Sequence, residues 1–343
     1  MLKLTNSQDV FTEGESGIHT YRIPTIICTK SNVVFVFAEA RHNDQGDAGQ
    51  IDIVYKKSLD GGKTFGDIVV LRSNKKDTLG NPAPIYDEKL DRIVLLHCFN
   101  YGDKGEHIIK TKGATRDIYC MYTDDEGKNW SEPQNITWQV KPKYWRWYAT
   151  GPNHGLQMDS GRIIMTCNHS EVSIIDENTD TYTSSHIIYS DDHGITWNLG
   201  ASAPSKTNES CGVYLPNNKL MVNTRTIERG NVRCVFLSSD EGETIDEFRV
   251  DDNLICPICQ GSIINYKDIL IFSNPESTER KNLTVKISKD YGKTWSEKLV
   301  LHKSHSSYSD LTINRDDEIL CIYEKGDYKL YEKITLATIK YSS

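Results

Sequence analysis

Three arginines carry the first hint of chemistry in this 343-residue chain, whose formal net charge is -8. Arg22 lies in Tyr21-Arg22-Ile23-Pro24, Arg225 ends the strand-like run closing on Asn223-Thr224-Arg225, and Arg280 opens Arg280-Lys-Asn-Leu-Thr-Val285. A guanidinium is planar and offers a fork of donors that matches a carboxylate through two parallel bonds. Arginines drawn together from distant points would therefore make a site for an anion. Taken singly, each is more commonly a surface or structural residue. The reading depends on elements that bring all three to one place.

Those elements are repeats. Five copies of one pattern, Ser or Thr, any residue, Asp, any, Gly, any, Thr or Asn, then usually an aromatic, punctuate the chain. They run Ser58 to Phe65, Thr123 to Trp130, Ser190 to Trp197, Ser238 to Ile245 and Ser288 to Trp295. The Asp accepts hydrogen bonds from amides just downstream, the Gly supplies a positive φ, and the aromatic anchors the returning strand. Each copy is a hairpin tip that locks itself, and a period of roughly 50 to 65 residues is that of a propeller blade. Short β-branched runs such as Val33 to Phe37, Ile51 to Tyr55, Arg92 to Leu96 and Ile269 to Phe272 supply the strands, and no helical periodicity is sustained.

The expected fold is all-β, a six-bladed β-propeller in one domain over 1–343, since propellers grow by radial repetition. Five turns define five blades. The tail from Ser307 to Tyr341 carries further strand-like runs, and the segment near Val10 and Phe11 is expected to add the strand that closes the ring. Each repeat then aims one strand at the central channel, where arginines from three blades converge.

Composition narrows the rest. Nine cysteines, an odd number scattered singly except for Cys256-Pro-Ile-Cys259, indicate a reduced protein with buried thiols and no zinc site. The acidic balance argues against nucleic acid or an anionic membrane as a general partner. Met1-Leu-Lys-Leu-Thr-Asn lacks the apolar stretch of an export signal, so the expectation is a cytoplasmic protein, or a secreted or periplasmic one whose signal has been removed. Glycosylation-like triplets at Asn135, Asn168, Asn208 and Asn282 carry little weight in that setting.

Tyr-Arg-Ile-Pro followed by repeated Asp boxes resembles the exo-α-sialidases, the retaining neuraminidases of bacteria and animals, over nearly the whole chain. Arg41 to Asp52, Trp147 to His154, Asn208-Glu209-Ser210, Phe272 to Pro275, Tyr308 to Leu311 and Leu320 to Glu324 agree with bacterial members in family order. The resemblance implies a six-bladed propeller with its site at the channel mouth. There Arg22, Arg225 and Arg280 would grip the carboxylate of a terminal sialic acid, with Glu324 holding the first of them. It implies Tyr308 as nucleophile and Glu209 as its base partner, sialidases being the tyrosine exception among glycosidases. An anionic nucleophile would be repelled by the carboxylate beside the anomeric carbon, whereas a neutral phenol activated by Glu209 would not.

The general acid/base falls in the loop after Arg41, where Asp44, Asp47 and Asp52 compete and family matching selects Asp47. Such an acid needs a raised pKa, supplied by bound substrate or apolar walls. Arg41 matches an arginine on the 4-hydroxyl side of the sugar, and Asn81 a polar partner nearby. Of Trp145, Trp147 and Tyr148, packing is the commoner use of such rings, lining the pocket the alternative. The implied activity is removal of terminal α-linked sialic acid from oligosaccharides, glycoproteins or glycolipids with retention, through a tyrosyl-enzyme intermediate. No metal, cofactor or added lectin module is expected, and a monomer is. Transfer to another sugar, internal transfer, and a silent sialoglycan-binding propeller are the rivals. The last would have lost one or more of Tyr308, Glu209 and Asp47, and all are present.

Overall fold

The computed structural model describes residues 1–171, 183–216 and 218–342. Among the described residues, strand pairing gives six antiparallel groups of four, with the short strand Leu156–Gln157 added beside the third. The first runs Thr20–Cys28, Val34–Arg41, Ile51–Ser58 and Val69–Arg72; the second Thr78–Asp87, Arg92–Asn100, Asp117–Thr123 and Gln134–Asn135. The third is Trp145–Thr150, Ile163–Glu171, Thr183–Ser190 and Asn198–Ser202; the fourth Thr207–Tyr214, Leu220–Thr226, Arg233–Ser238 and Glu247–Asp251. The fifth comprises Ser262–Tyr266, Ile269–Pro275, Lys281–Ser288 and the first half of the long strand Glu297–Ile313. The second half of that strand starts the sixth group, followed by Ile319–Gly326, Lys333–Tyr341 and, from the other end of the chain, Leu2–Thr12.

The apolar core explains why six such sheets stand together. It is split into clusters that each lie between two successive blades. Phe35, Phe37 and Ile53 of the first meet Ile93, Leu95 and Met121 of the second, and Leu96 and Ile118 meet Met165 and Ile188. Ile164 and Ile187 meet Val222 and Phe236, and Cys211 and Met221 meet Ile263 and Phe272. Val285 meets Leu311 and Ile339. The last cluster joins Leu320, Ile322, Val10 and Phe11 to Ile26, Val36 and Val54 of the first blade. No blade buries both faces alone, so the ring is stable only as a ring.

All five Asp boxes form the expected turn, each between the third and fourth strands of a blade. In the first, the Ser58 hydroxyl accepts from the Gly62 amide at 2.8 Å, and Asp60 accepts from the Thr64 amide at 2.9 Å and the Thr64 hydroxyl at 2.7 Å. Gly62 takes φ 94°, as its type permits. The residue ending each box reaches beyond its own blade. Phe65, Trp130, Trp197, Ile245 and Trp295 pack in the clusters shared with the preceding blade. Even the degraded Ile245 copy does so. The sixth blade has no box because its third and fourth strands come from opposite ends of the chain and no turn joins them.

Among the described residues two short α-helices, Glu106–Lys112 and Thr137–Val140, interrupt the strands. Neither showed as a periodicity because one turn or two is too short to print one. All nine cysteines are free and buried. No helix among the described residues is long and apolar enough to cross a membrane. At the axis, the fully buried Asp310 accepts from the Ile26 amide (3.0 Å), the His154 amide (3.1 Å) and ring (2.7 Å) and the Ser262 hydroxyl (2.8 Å), tying four blades through one carboxylate.

Candidate functional site

The first strands of the blades pack around the common axis, and at one level they break register. Pairing shifts between Arg22 and Thr25, Gly80 and Ala83, Trp145 and Tyr148, Thr207 and Ser210, and Ser306 and Ser309. A bulge re-aims a side chain that strict alternation would bury. Arg22, Asn81, Trp147, Glu209 and Tyr308 lie at these breaks, and all five line one cavity of about 270 Å³. At the first break Ile23, a β-branched residue, holds φ 56°. Such a backbone persists only when its surroundings fix it, and here Glu324 accepts the Ile23 amide at 2.9 Å.

Glu324 does more than that. Its carboxylate takes Nε and Nη2 of Arg22 at 3.1 and 3.2 Å and the Tyr308 amide at 3.2 Å, so one buried group sets both the arginine and the tyrosine backbone. Across the cavity the Tyr308 hydroxyl donates to Glu209 at 2.5 Å. Arg225 donates to the other oxygen of Glu209 at 2.6 Å and to the Tyr308 hydroxyl at 3.3 Å. Arg280 donates to the Tyr331 hydroxyl at 3.0 Å, with its guanidinium carbon 5.6 Å from the Tyr308 ring centre. Arg22 lies 5.2 Å from the same ring and 3.8 Å from that of Tyr331. Three cations thus surround one phenol.

Burial and the neighbouring Glu209 push the Tyr308 hydroxyl well above the ordinary tyrosine range, and Arg225 and Arg280 offset this only in part. The phenol is neutral at rest, and its proton has one short path out, to Glu209. Arg41 pairs with Glu39 through two donors, one of them Nε at 2.9 Å, and with Asp47 at 2.7 Å. Asp47 also stands 3.7 Å from Arg22, with its side chain 66% exposed. Partial burial would raise its pKa, but Arg41 and Arg22 outweigh that and hold the carboxyl below the usual range. The raised value expected of a general acid is therefore not present in this state, because the carboxylate leans into the arginine site.

Asp44 and Asp52 lie elsewhere. Asp44 caps the Gly46 amide on the exposed loop, and Asp52, buried in its strand, bonds His42 at 2.7 Å. Of the aromatic trio, Trp145 stacks on His169 with ring centres 3.4 Å apart and Tyr148 is core; only Trp147 lines the cavity. Asn81 lines it too, its oxygen taken by Arg116 at 2.6 Å.

Residues 32–321 match the BNR repeat-like domain. The chain belongs to that family. The chain is 28% identical over 91% of its length to a protein named sialidase from Bacteroides fragilis, of which it spans 61%. It is 27% identical over 97% of its length to a sialidase of Micromonospora viridifaciens, of which it spans 54%. It thus spans little more than half the length of these two relatives. Among solved structures, a Hadza microbial sialidase superposes with TM-score 0.85 at 28% identity, covering 97% of this chain and 68% of that one. A leech intramolecular trans-sialidase shares the propeller fold, with TM-score 0.80 at 18% identity.

Among the cavity residues that the sequence reading did not place there are Glu39, Arg116, Asn168 and Tyr331. Glu39 was within reach, for it lies two residues before Arg41 on one strand and so shares its face. Arg116 and Tyr331 carry no motif and Asn168 only a glycosylation-like triplet, so only the closed ring brings them to the cavity.

Proposed function

We propose that this chain is a retaining exo-α-sialidase, a glycoside hydrolase that removes terminal α-linked sialic acid from sialylated glycans. The carrying observation is the Tyr308 hydroxyl 2.5 Å from Glu209 with Arg225 bonded to both. A phenol has little use for a carboxylate and three guanidiniums around it unless it must lose its proton beside an anionic substrate.

The substrate carboxylate docks on Arg22, Arg225 and Arg280; Arg22 is held by Glu324 and Arg225 by Glu209, whereas Arg280 donates only to neutral oxygens and keeps its charge for the anion. Its arrival gives Arg22 a new anionic partner and displaces Asp47 from that side. With one cation withdrawn and substrate covering it, Asp47 moves toward the range where it can protonate the leaving oxygen. Tyr308 attacks the anomeric carbon as Glu209 accepts its proton, giving a tyrosyl-sialoside. Asp47, now a carboxylate, takes a proton from water; the water oxygen bonds the anomeric carbon, the tyrosyl bond breaks, and Glu209 returns the proton to Tyr308. Overall one glycosidic bond and one water are consumed.

The test is release of aryl alcohol and sugar from an aryl α-sialoside by wild type and by Tyr308→Phe, with the sugar weighed by mass spectrometry. Free sialic acid from wild type and its loss in the variant are expected. A product lighter by one water would replace hydrolysis with internal transfer, and binding without turnover would replace it with a sialoglycan-binding role.

A further inference from the structure

Two tyrosines touch the arginine site, and they are wired in opposite ways. Tyr308 gives its proton to a carboxylate, Glu209, at 2.5 Å. Tyr331 has no such acceptor. Its hydroxyl oxygen takes Nη1 of Arg280 at 3.0 Å, and among the described residues its own O–H donates to nothing. The Arg22 guanidinium carbon lies 3.8 Å from the centre of the Tyr331 ring. One cavity-lining side chain therefore touches two of the three arginines and still holds an unspent donor.

The backbone that carries Tyr331 is tied down. It lies in the turn between Ile319–Gly326 and Lys333–Tyr341, where the Glu332 carboxylate accepts the Asp327, Tyr328 and Lys329 amides at 2.9, 3.2 and 3.1 Å. The turn is so tight that a side chain at Gly326 would strike the Lys329 carbonyl. A count of donors then shows what the phenol supplies. Arg22 gives Nε and Nη2 to Glu324, and Arg280 directs Nη1 at Tyr331 and at the Ser307 hydroxyl, 3.3 Å away. A carboxylate has about four lone-pair sites to fill, and the arginines arrive with part of their donors already used. Tyr331 takes one donor from Arg280 and offers its own in return. Accepting from a cation polarises the O–H and makes it a stronger donor.

We infer that Tyr331 is a substrate-binding residue whose hydroxyl donates to the substrate carboxylate, as a fourth partner beside Arg22, Arg225 and Arg280. This rests on the sialoside reading above and deepens it. A hydrogen bond to an ionised acceptor is stronger than one between neutral groups, and a neutral donor adds it without cancelling any of the positive charge that draws the anion. With no carboxylate to take its proton, Tyr331 does not compete with Tyr308 as nucleophile.

The experiment compares wild type with Tyr331→Phe, which keeps the ring under Arg22 and removes only the hydroxyl. Two probes are titrated by ligand-observed NMR: the unsaturated sugar acid with a C2–C3 double bond, and the same compound with hydrogen in place of the carboxylate. The acid is expected to bind the variant about 10-fold more weakly, the loss of one hydrogen bond to a charged group, while the compound without the carboxylate binds both proteins within about twofold. On an aryl α-sialoside KM should rise by a like factor and kcat hold within about threefold, as for an interaction made equally in ground and transition state. Unchanged affinity for the acid overturns the inference. So does an equal loss on both probes, which would mark Tyr331 as a packing residue, and so does a collapse of kcat at constant KM. The titration needs no turnover, so the expected binding pattern beside an uncleaved aryl sialoside upholds the Tyr331 contact and removes the hydrolase alone. Failure of wild type to bind the acid overturns both.

Discussion

The Asp-box rim and the channel mouth solve the same problem, holding charged side chains still, in opposite ways. At the rim the box aspartates bond locally: Asp192 accepts from the Thr196 amide and hydroxyl four residues on, and Ser190 donates to it from two residues back. At the mouth the partners lie far apart in sequence, Arg22 on Glu324 and Tyr308 on Glu209. A rim turn can form before the ring does; the mouth exists only after the ring has closed. The scaffold is therefore periodic and the chemistry is not. Losing a rim bond costs stability, whereas losing a mouth bond costs reaction.

Substitutions sharpen that division. Tyr308→Phe is expected to lower turnover of an aryl α-sialoside by about 10³-fold or more, as removal of nucleophiles does elsewhere, with an unchanged melting temperature; a folded variant retaining a tenth of the rate would remove Tyr308 from the reaction. Arg280→Ala gives up a desolvated charge pairing worth about 2–5 kcal/mol, so kcat/KM should fall by roughly 30- to 5,000-fold, with weaker loss for an analogue lacking the carboxylate. If both analogues lose equally, Arg280 is not the anion's partner.

At the rim the pattern reverses. Asp192→Ala should lower the melting temperature by a few degrees, about the effect of losing one or two hydrogen bonds in a large domain, while kcat/KM at 25 °C stays within about twofold. A large activity loss would mean that the rim and mouth are coupled.

The smallest effect is on pH. Hydrogen bonds hold Asp125 at about 2, and in Asp60, Asp240 and Asp290 they overcome the opposing pull of burial to reach about 2. Their contribution is present above the unfolded value near 3.8 and is lost as pH falls toward 2. Burial also drives His97 and His169 down to about 3 from 6.5. Their neutral folded form is penalised as soon as the unfolded chain begins to take up protons, below about pH 6.5. Thermal melts should thus show a shallow decline from pH 6.5 that steepens below 4. Replacing His97 by Gln should flatten the upper part alone, and a flat curve down to pH 4 in wild type would contradict the assignment.

This division also explains what could be read from residues alone. The boxes, their blades and the closing strand near Val10 are written locally or periodically, so they survive in one sequence. The Arg22, Glu209 and Tyr308 motifs were legible through family resemblance. Asn168, Arg116 and Tyr331 were not, since each gains its place from neighbours on other strands, Asn168 beside Ala149, Arg116 on Asn81 and Tyr148, and Tyr331 on Arg22 and Arg280. The lowered pKa of Asp47 was equally hidden, as it depends on which cation the loop leans toward.

The seam of the ring carries a mechanical consequence. Leu2–Thr12 lies antiparallel to Lys333–Tyr341, with Leu2 opposite Tyr341 and Thr12 opposite Lys333. Tension applied to the two ends pulls at the same end of this pair, so its hydrogen bonds load one after another and the join peels like a zipper. The other blades, with covalent turns where this one has a gap, cannot be peeled until it has opened. Under force the circle has one weak point, and it lies where no Asp box could be written.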